Sequence, residues 1–327
     1  MPRRIRYDAW ARADGRTRRT SDGVTTWTSP WCDPGFPFTD LVASWHATTL
    51  GDSWIDVAVQ GEGSGRWHDL GAWSSGQLPA RRSSGRGDAQ VDIDVWRPHA
   101  ARDAYRLRVR LHGEGADLHR VGAVVSAGAV RRRTSPPLRR VERVLDVPRL
   151  SQMTWKDVGG RGWCSPTSLA MVLSHAGTLP PATDIPAAAA EVFDPAYDGT
   201  GNWAFNTAWA AGLTGHAFVT RLRDLRDAER FVDAGIPVVA SLAYPSGALP
   251  GAPTRGTDGH LVVIRGFTET GDVVTNDPAA PTEKSVRRTY DRGAFERARL
   301  EGSGGLVYVV HRADHSPPAG PWTGVHR

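Results

Sequence analysis

The sequence predicts an all-β, sandwich-like N-terminal domain followed by an α+β domain. Three observations predict it. Between about residues 36 and 130, apolar residues recur at every second position. Beyond residue 144, a helix-forming stretch comes first and β-branched runs follow. Between the two lies an Arg-rich segment containing Pro136 and Pro137, which reads as a linker. A chain of 327 residues is also long for a single core, so two domains are expected.

Residues 1–35 are polar and rich in Arg and turn formers, and are expected to be an irregular arm. In residues 36–130, Ile55, Val57 and Val59 share one face. Val91, Ile93 and Val95 alternate with Asp92 and Asp94. Tyr105, Leu107, Val109 and Leu111 alternate with Arg106, Arg108 and Arg110. Strict alternation marks half-buried antiparallel strands. The Gly/Ser clusters at 61–65, 74–76 and 83–87 separate them, and several short strands so spaced make a sandwich. Eight of the 13 tryptophans precede residue 100. Filling the sandwich core is the favoured use for these rings. Stacking on the sugars of a carbohydrate or cell-wall polymer is the minority alternative. Residues 131–143 are the expected linker, 144–312 the α+β domain and 313–327 a disordered tail.

In the second domain, Leu169, Val172, Leu173 and Ala176 recur at helical spacing in CSPTSLAMVLSHAG, and Gly177 suits the cap. Further helices are expected near 185–193, 203–211 and 224–234. Strands are expected at 236–244, 260–267, 272–277 and 305–311. Helices first and antiparallel strands after make an α+β layout.

Composition excludes several functions. No apolar run is long enough for a membrane-spanning helix. MPRRIRYDAW leads into no apolar stretch, so no standard secretory signal is expected, and the compartment is left open. The net charge is +5 and all but two of the 40 basic residues are Arg, Lys156 and Lys284 being the exceptions. These arginines alternate along strands or sit in the terminal segment and linker rather than in one stripe, so no nucleic-acid partner is expected. Two cysteines, Cys32 and Cys164, make no disulfide framework. No CxxC or HExxH spacing occurs, so neither a metal nor another cofactor is expected.

Cys164 remains, and its context is chemical. It sits where a helix begins, with Pro166 in the first turn. Free N–H groups and the helix dipole there favour a thiolate, which is the nucleophilic form. His260 begins one strand and Asp277 ends the next, joined through Glu269, Thr270 and Gly271. A turn centred near 269 places 260 opposite about 277 or 278, so the two side chains can meet. A carboxylate in that position fixes an imidazole's tautomer. A register error of one would substitute Asn276 for Asp277. Gln152, twelve residues before the cysteine, is an amide donor that could help to stabilise an oxyanion. Trp163, Trp203 and Asn206 are candidates to line the site.

The stretches VPRLSQM, GWCSPTSLAMVL, TDGHLVVIRGF, GDVVTNDPAA and GGLVYVV resemble the bacteriocin-processing leader-peptidase family of papain-like cysteine peptidases, in its stand-alone actinobacterial form. The resemblance covers residues 144–312. It implies a papain-like fold for the α+β domain and a peptide or protein substrate. It also implies Gln152 as oxyanion donor, Cys164 as nucleophile, His260 as base and Asp277 as its partner. The segment before 144, with SWHATT and SWIDVAVQ, resembles the sandwich-like leader of some of these relatives. Leader-cleaving members are fused to membrane and ATP-binding domains, and this chain carries no GxxxxGK[ST] loop. Cleavage during export is therefore not implied.

The expectation is a cysteine hydrolase of peptide or isopeptide bonds acting through an acyl-enzyme. One alternative is a lapsed enzyme whose sandwich is a binding module. Another is an acyl or amide transferase using the same residues. The linker suggests two independent cores, with the first domain dispensable for bond cleavage.

Overall fold

The computed structural model describes residues 3–21, 23–75, 87–129, 133–180 and 183–325. The separator at 83–86 and linker residues 131 and 132 lie outside the described residues. The N-terminal half is all β: β1 (Arg4–Ala11), β2 (Arg16–Arg19), β3 (Thr25–Thr28), β4 (Asp40–Thr49), β5 (Trp54–Gly61), β6 (His68–Trp73), β7 (Ala89–Asp92), β8 (Val95–Pro98), β9 (Tyr105–His112) and β10 (Ala116–Ala127). The C-terminal half is α+β. It begins with β11 (Arg143–Val144), α1 (Cys164–His175), α2 (Ile185–Glu191), α3 (Trp203–Thr214), β12 (Ala217–Arg221), α4 (Leu225–Asp233) and β13 (Val238–Tyr244). It continues with β14 (Thr257–Phe267), β15 (Val273–Asn276), α5 (Glu283–Val286), β16 (Arg287–Tyr290), α6 (Arg292–Ser303), β17 (Leu306–Val310) and β18 (Gly324–Val325).

Two sheets make up the N-terminal half, one in the order β18-β1-β10-β4-β8-β7 and the other β2-β3-β9-β5-β6. The expected alternation is present in β9, where Tyr105, Leu107, Val109 and Leu111 are buried between half-exposed arginines. Trp10, Trp27, Trp45, Trp73 and Trp96 are buried, so most of the early tryptophans fill cores. The ring of Trp67 is covered by Arg106 and Arg108, at 5.2 and 4.5 Å. Trp54 is stacked on His112 at 3.7 Å.

Residues 4–28 are not an irregular arm but three strands. In β1, Ile5, Tyr7 and Ala9 pack toward the C-terminal half, while Trp10 joins the sandwich core. Charges on the opposite positions masked this alternation. Asp8 is fully buried, and Arg6 Nε donates to it at 3.0 Å. Residues 313–325 are not a disordered tail either. Trp322 is buried with its ring 5.0 Å from that of Phe231, Tyr7 N donates to Pro321 O at 2.7 Å, and β18 pairs with β1.

The C-terminal sheet runs β12-β17-β13-β14-β15-β16, with β11 also paired to β14. The segment around Pro136 and Pro137 is anchored rather than free. Ser135 donates to Glu296 from its N and its Oγ, at 2.6 and 2.9 Å, and Arg292 Nε donates to Ser135 O at 2.6 Å. Nor are the cores independent. One apolar cluster combines Ile5, Tyr7, Val42, Val95 and Val124 with the interior of the α+β half, and the other combines the sandwich core with Ala204, Phe205 and Ala208 of α3. Both faces of the six-stranded sheet carry apolar side chains, so each face needs a cover. Phe205 sits 6.3 Å from Trp45 ring to ring, Tyr7 4.7 Å from Phe218, and Arg221 Nη2 donates to Asp40 Oδ1 at 2.8 Å.

Candidate active site

Cys164 is the first residue of α1, so its N–H and those just after it have no acceptor within the helix. Pro166 falls in the turn where the missing donor costs nothing. From Ser165 to Leu173 every residue of the helix is buried, not only the stripe expected from its spacing. Hydroxyls on this helix find partners in three other elements. Ser165 Oγ donates to Asn206 Oδ1 of α3 and is hydrogen-bonded to Tyr308 Oη of β17, both at 2.9 Å. Ser168 Oγ donates to Leu261 O of β14 at 3.1 Å, one residue beyond His260. The start of the helix is thereby held against the strand that carries the histidine.

His260 pairs with Leu242 of β13 and is buried. The hairpin register differs from the expected one. Val263 faces Asn276 and Phe267 faces Val273, with a bulge between Ile264 and Gly266. The bulge turns Arg265 inward, where its Nη1 donates to Asn276 Oδ1 at 3.2 Å and its Nε to Leu145 O at 2.9 Å. Asn276 Nδ2 is spent on Pro148 O at 2.8 Å. Asn276 is thus occupied away from the histidine. Asp277, just past the end of β15, is its neighbour: His260 Nε2 and Asp277 Oδ1 are 2.8 Å apart. The other ring nitrogen, Nδ1, is left for Cys164, to which His260 is hydrogen-bonded.

A fourth residue, which no motif marked, completes the row. Tyr290 at the end of β16 donates from its Oη to Asp277 Oδ2 at 2.8 Å, and Ala279 N donates to Asp277 Oδ1 at 3.0 Å. Both carboxylate oxygens are therefore held. Tyr290 is fully buried. Burial, then the neighbouring Asp277, keeps its phenol protonated at any working pH.

The electrostatics favour an ion pair. Burial pushes the Cys164 thiol up. The hydrogen bond and charge of His260, with a backbone contact from Leu261, outweigh burial and bring it below its ordinary value. Burial pulls the His260 imidazole down, but the charge and hydrogen bond of Asp277 and the contact with Cys164 push it up to about 10. Asp277 is held below the usual carboxylate range: burial raises it, and His260 and Tyr290 more than compensate. Cys32 is the contrast. It is buried, and burial and then Asp8 push its thiol up to about 12. Its thiol therefore stays protonated and poorly reactive at neutral pH.

Gln152 lies in the same wall but is engaged differently from the expectation. Its Nε2 donates to Gly160 O and Arg161 O, at 2.9 and 2.8 Å, and its backbone N donates to Pro278 O at 2.9 Å. Both amide hydrogens are used on the loop leading into Cys164. The residue bridges that loop to the segment after Asp277. Asn206 is fully buried behind Ser165, and Trp203 packs on Tyr308 at 4.9 Å between rings. Among the described residues, no group of three or more His, Cys, Asp or Glu is placed to hold a metal ion. No helix among them is long and apolar enough to cross a membrane.

Comparison with known families places both halves. Residues 144–305 match the Peptidase_C39 like family, and residues 7–126 match the Peptidase C39 N-terminal domain. No curated protein matches the chain.

Proposed function

The chain belongs to the Peptidase_C39 like family, so its function is of the cysteine-peptidase kind, and from that premise we propose that it hydrolyses peptide or isopeptide bonds through a Cys164 acyl-enzyme. The observation that carries the proposal is the hydrogen-bonded row from half-buried Cys164 through the buried His260 and Asp277 to Tyr290. The α+β half supports a papain-like arrangement, with the nucleophile's helix packed on the strand that carries the base.

In this reading the Cys164 thiolate attacks the substrate carbonyl carbon. The His260 imidazolium then gives its Nδ1 proton to the departing amine, leaving a thioester on Sγ. His260, now neutral, takes a proton from water, and the hydroxide attacks the thioester. The acid leaves and the thiolate is restored. Asp277 holds the ring and balances the imidazolium. The oxyanion faces the free N–H groups at the start of α1. Gln152 keeps the loop ahead of them in place.

The test is the ionisation of the two cysteines. Iodoacetamide reacts with thiolate, so at about pH 6 it is expected to label Cys164 far faster than Cys32. The Cys164 thiol lies below its ordinary value, so its reactivity is present at low pH and disappears only as pH falls through the lowered value. Activity falls again at high pH, as His260 loses its proton near 10. The limbs belong to the pair. His260→Ala is expected to slow labelling of Cys164 at that pH sharply, while Cys32 stays slow in both proteins. Equal, slow labelling of both cysteines in the intact protein would support a lapsed enzyme instead. Product analysis with an added amine acceptor separates hydrolysis from acyl transfer.

A further inference from the structure

The sandwich half reaches into the neighbourhood of Cys164 at one point. The two-residue turn between β7 and β8 is Ile93-Asp94. Ile93 has φ 59°, a left-handed conformation that a β-branched side chain resists. Strain of this kind persists only where the surroundings enforce it. Here the enforcing contact is Asp94, which is buried and whose Oδ2 accepts from Trp203 N at 2.5 Å. Ala204 N is a second donor to it. Asp94 therefore caps α3 from another domain, beside the helix's own cap, Asn202.

What α3 does next is local to the nucleophile. Asn206, one turn on, accepts from Ser165 Oγ, and its Nδ2 donates to Thr200 O and Asn202 O, both at 2.8 Å. Trp203 packs on Tyr308, the other partner of Ser165. Thr200 Oγ1 donates to Gly162 O at 3.1 Å, two residues before Cys164. The first turn of α3 thus holds the chain on both sides of Cys164, and Asp94 holds that turn.

We infer that Asp94 is a positioning residue for Cys164, so that the N-terminal domain is a working part of the active site rather than an appended module. The inference rests on the proposed role of Cys164 as nucleophile. Releasing the first turn of α3 lets Ser165 drift, lengthening the bond between Cys164 and His260 that lowers the thiol.

The experiment is the pH profile of iodoacetamide labelling at Cys164 in the full chain, which needs no substrate. Asp94→Ala is expected to raise the midpoint by about one pH unit, slowing labelling about tenfold at pH values below both midpoints. Loss of a nearby negative charge alone would lower the midpoint, so a rise reports displacement. Asp94→Asn keeps an acceptor for Trp203 N while removing the charge, and is expected to place the midpoint no higher than that of the wild type. Asp94→Ser, polar but too short to reach, serves as the second variant if the Ala protein does not fold. It is expected to behave as Asp94→Ala does. A wild-type profile in a folded Ala or Ser variant, or an Asn variant as impaired as Ala, would overturn the inference alone. An ordinary-thiol profile in the wild type would overturn the proposed function as well.

Discussion

At the scale of single residues, the carboxylate of Asp277 is the most fully engaged group of the site. Asp277 accepts from Tyr290 and Ala279 while facing His260, so its carboxylate cannot rotate away from the ring. Gln152 shows how a residue can stand in the expected place and act through another. Its amide hydrogens lie on Gly160 O and Arg161 O. Loss of a direct oxyanion donor costs about 10²–10³ in kcat. A brace for the loop ahead of Cys164 costs less. Gln152→Ala is therefore expected to lower kcat only about tenfold, by loosening the geometry of Cys164. Steady-state kinetics on any cleaved peptide checks this, and a loss of about a thousandfold would return the residue to the oxyanion.

At the scale of elements, β14 organises the site. It carries His260, receives the hydroxyl of Ser168 on Leu261 O, and bulges at Arg265 so that Asp277 comes to the histidine. Its far end pairs with β11, where the two backbones meet at Gly266. A Cβ on Gly266 would lie 2.4 Å from Arg143 O and 2.6 Å from Val144 Cα, both backbone atoms that cannot swing aside. Gly266→Ala is expected to destabilise the protein by about 1–3 kcal/mol, the scale of overpacking. Urea unfolding measures it, and an unchanged midpoint would mean that β11 is free to move.

At the scale of the whole molecule, the two halves share their interiors. Ile5, Tyr7 and Ala9 lie in the cluster of the α+β half, and Phe205 reaches Trp45 in the sandwich. A chain starting near residue 144 would leave these apolar surfaces uncovered. It is expected to aggregate or to melt without a cooperative transition, in contrast to the two self-sufficient domains that the Arg-rich, Pro-containing linker suggests. A sharp two-state thermal transition from that chain, by circular dichroism, would show that the shared cores are dispensable. The C-terminus contributes too. Trp322→Ala is expected to cost about 3–5 kcal/mol, because a buried aromatic ring leaves a cavity.

Part of the fold and of the candidate site is legible in the order of the amino acids. Period-two alternation marked β5 and β9, helical spacing marked α1, and a cysteine at a helix start with a histidine and an aspartate on the two arms of a hairpin marked the candidate site. Each of these signals spans a few neighbouring residues. The rest depends on partners that are far apart in the chain and meet only on folding. Asp277 rather than Asn276 faces His260 because Arg265 and Pro148 occupy the asparagine. Tyr290 and Asp94 gain their places only when β16 and the β7–β8 turn are packed beside residues 13 and 109 positions away. The strands hidden in residues 4–28 and the buried Trp322 follow the same logic. Their polar neighbours read as surface until Arg6 satisfies Asp8 and the sheet closes over them, since a buried charge is tolerated only with its partner in place.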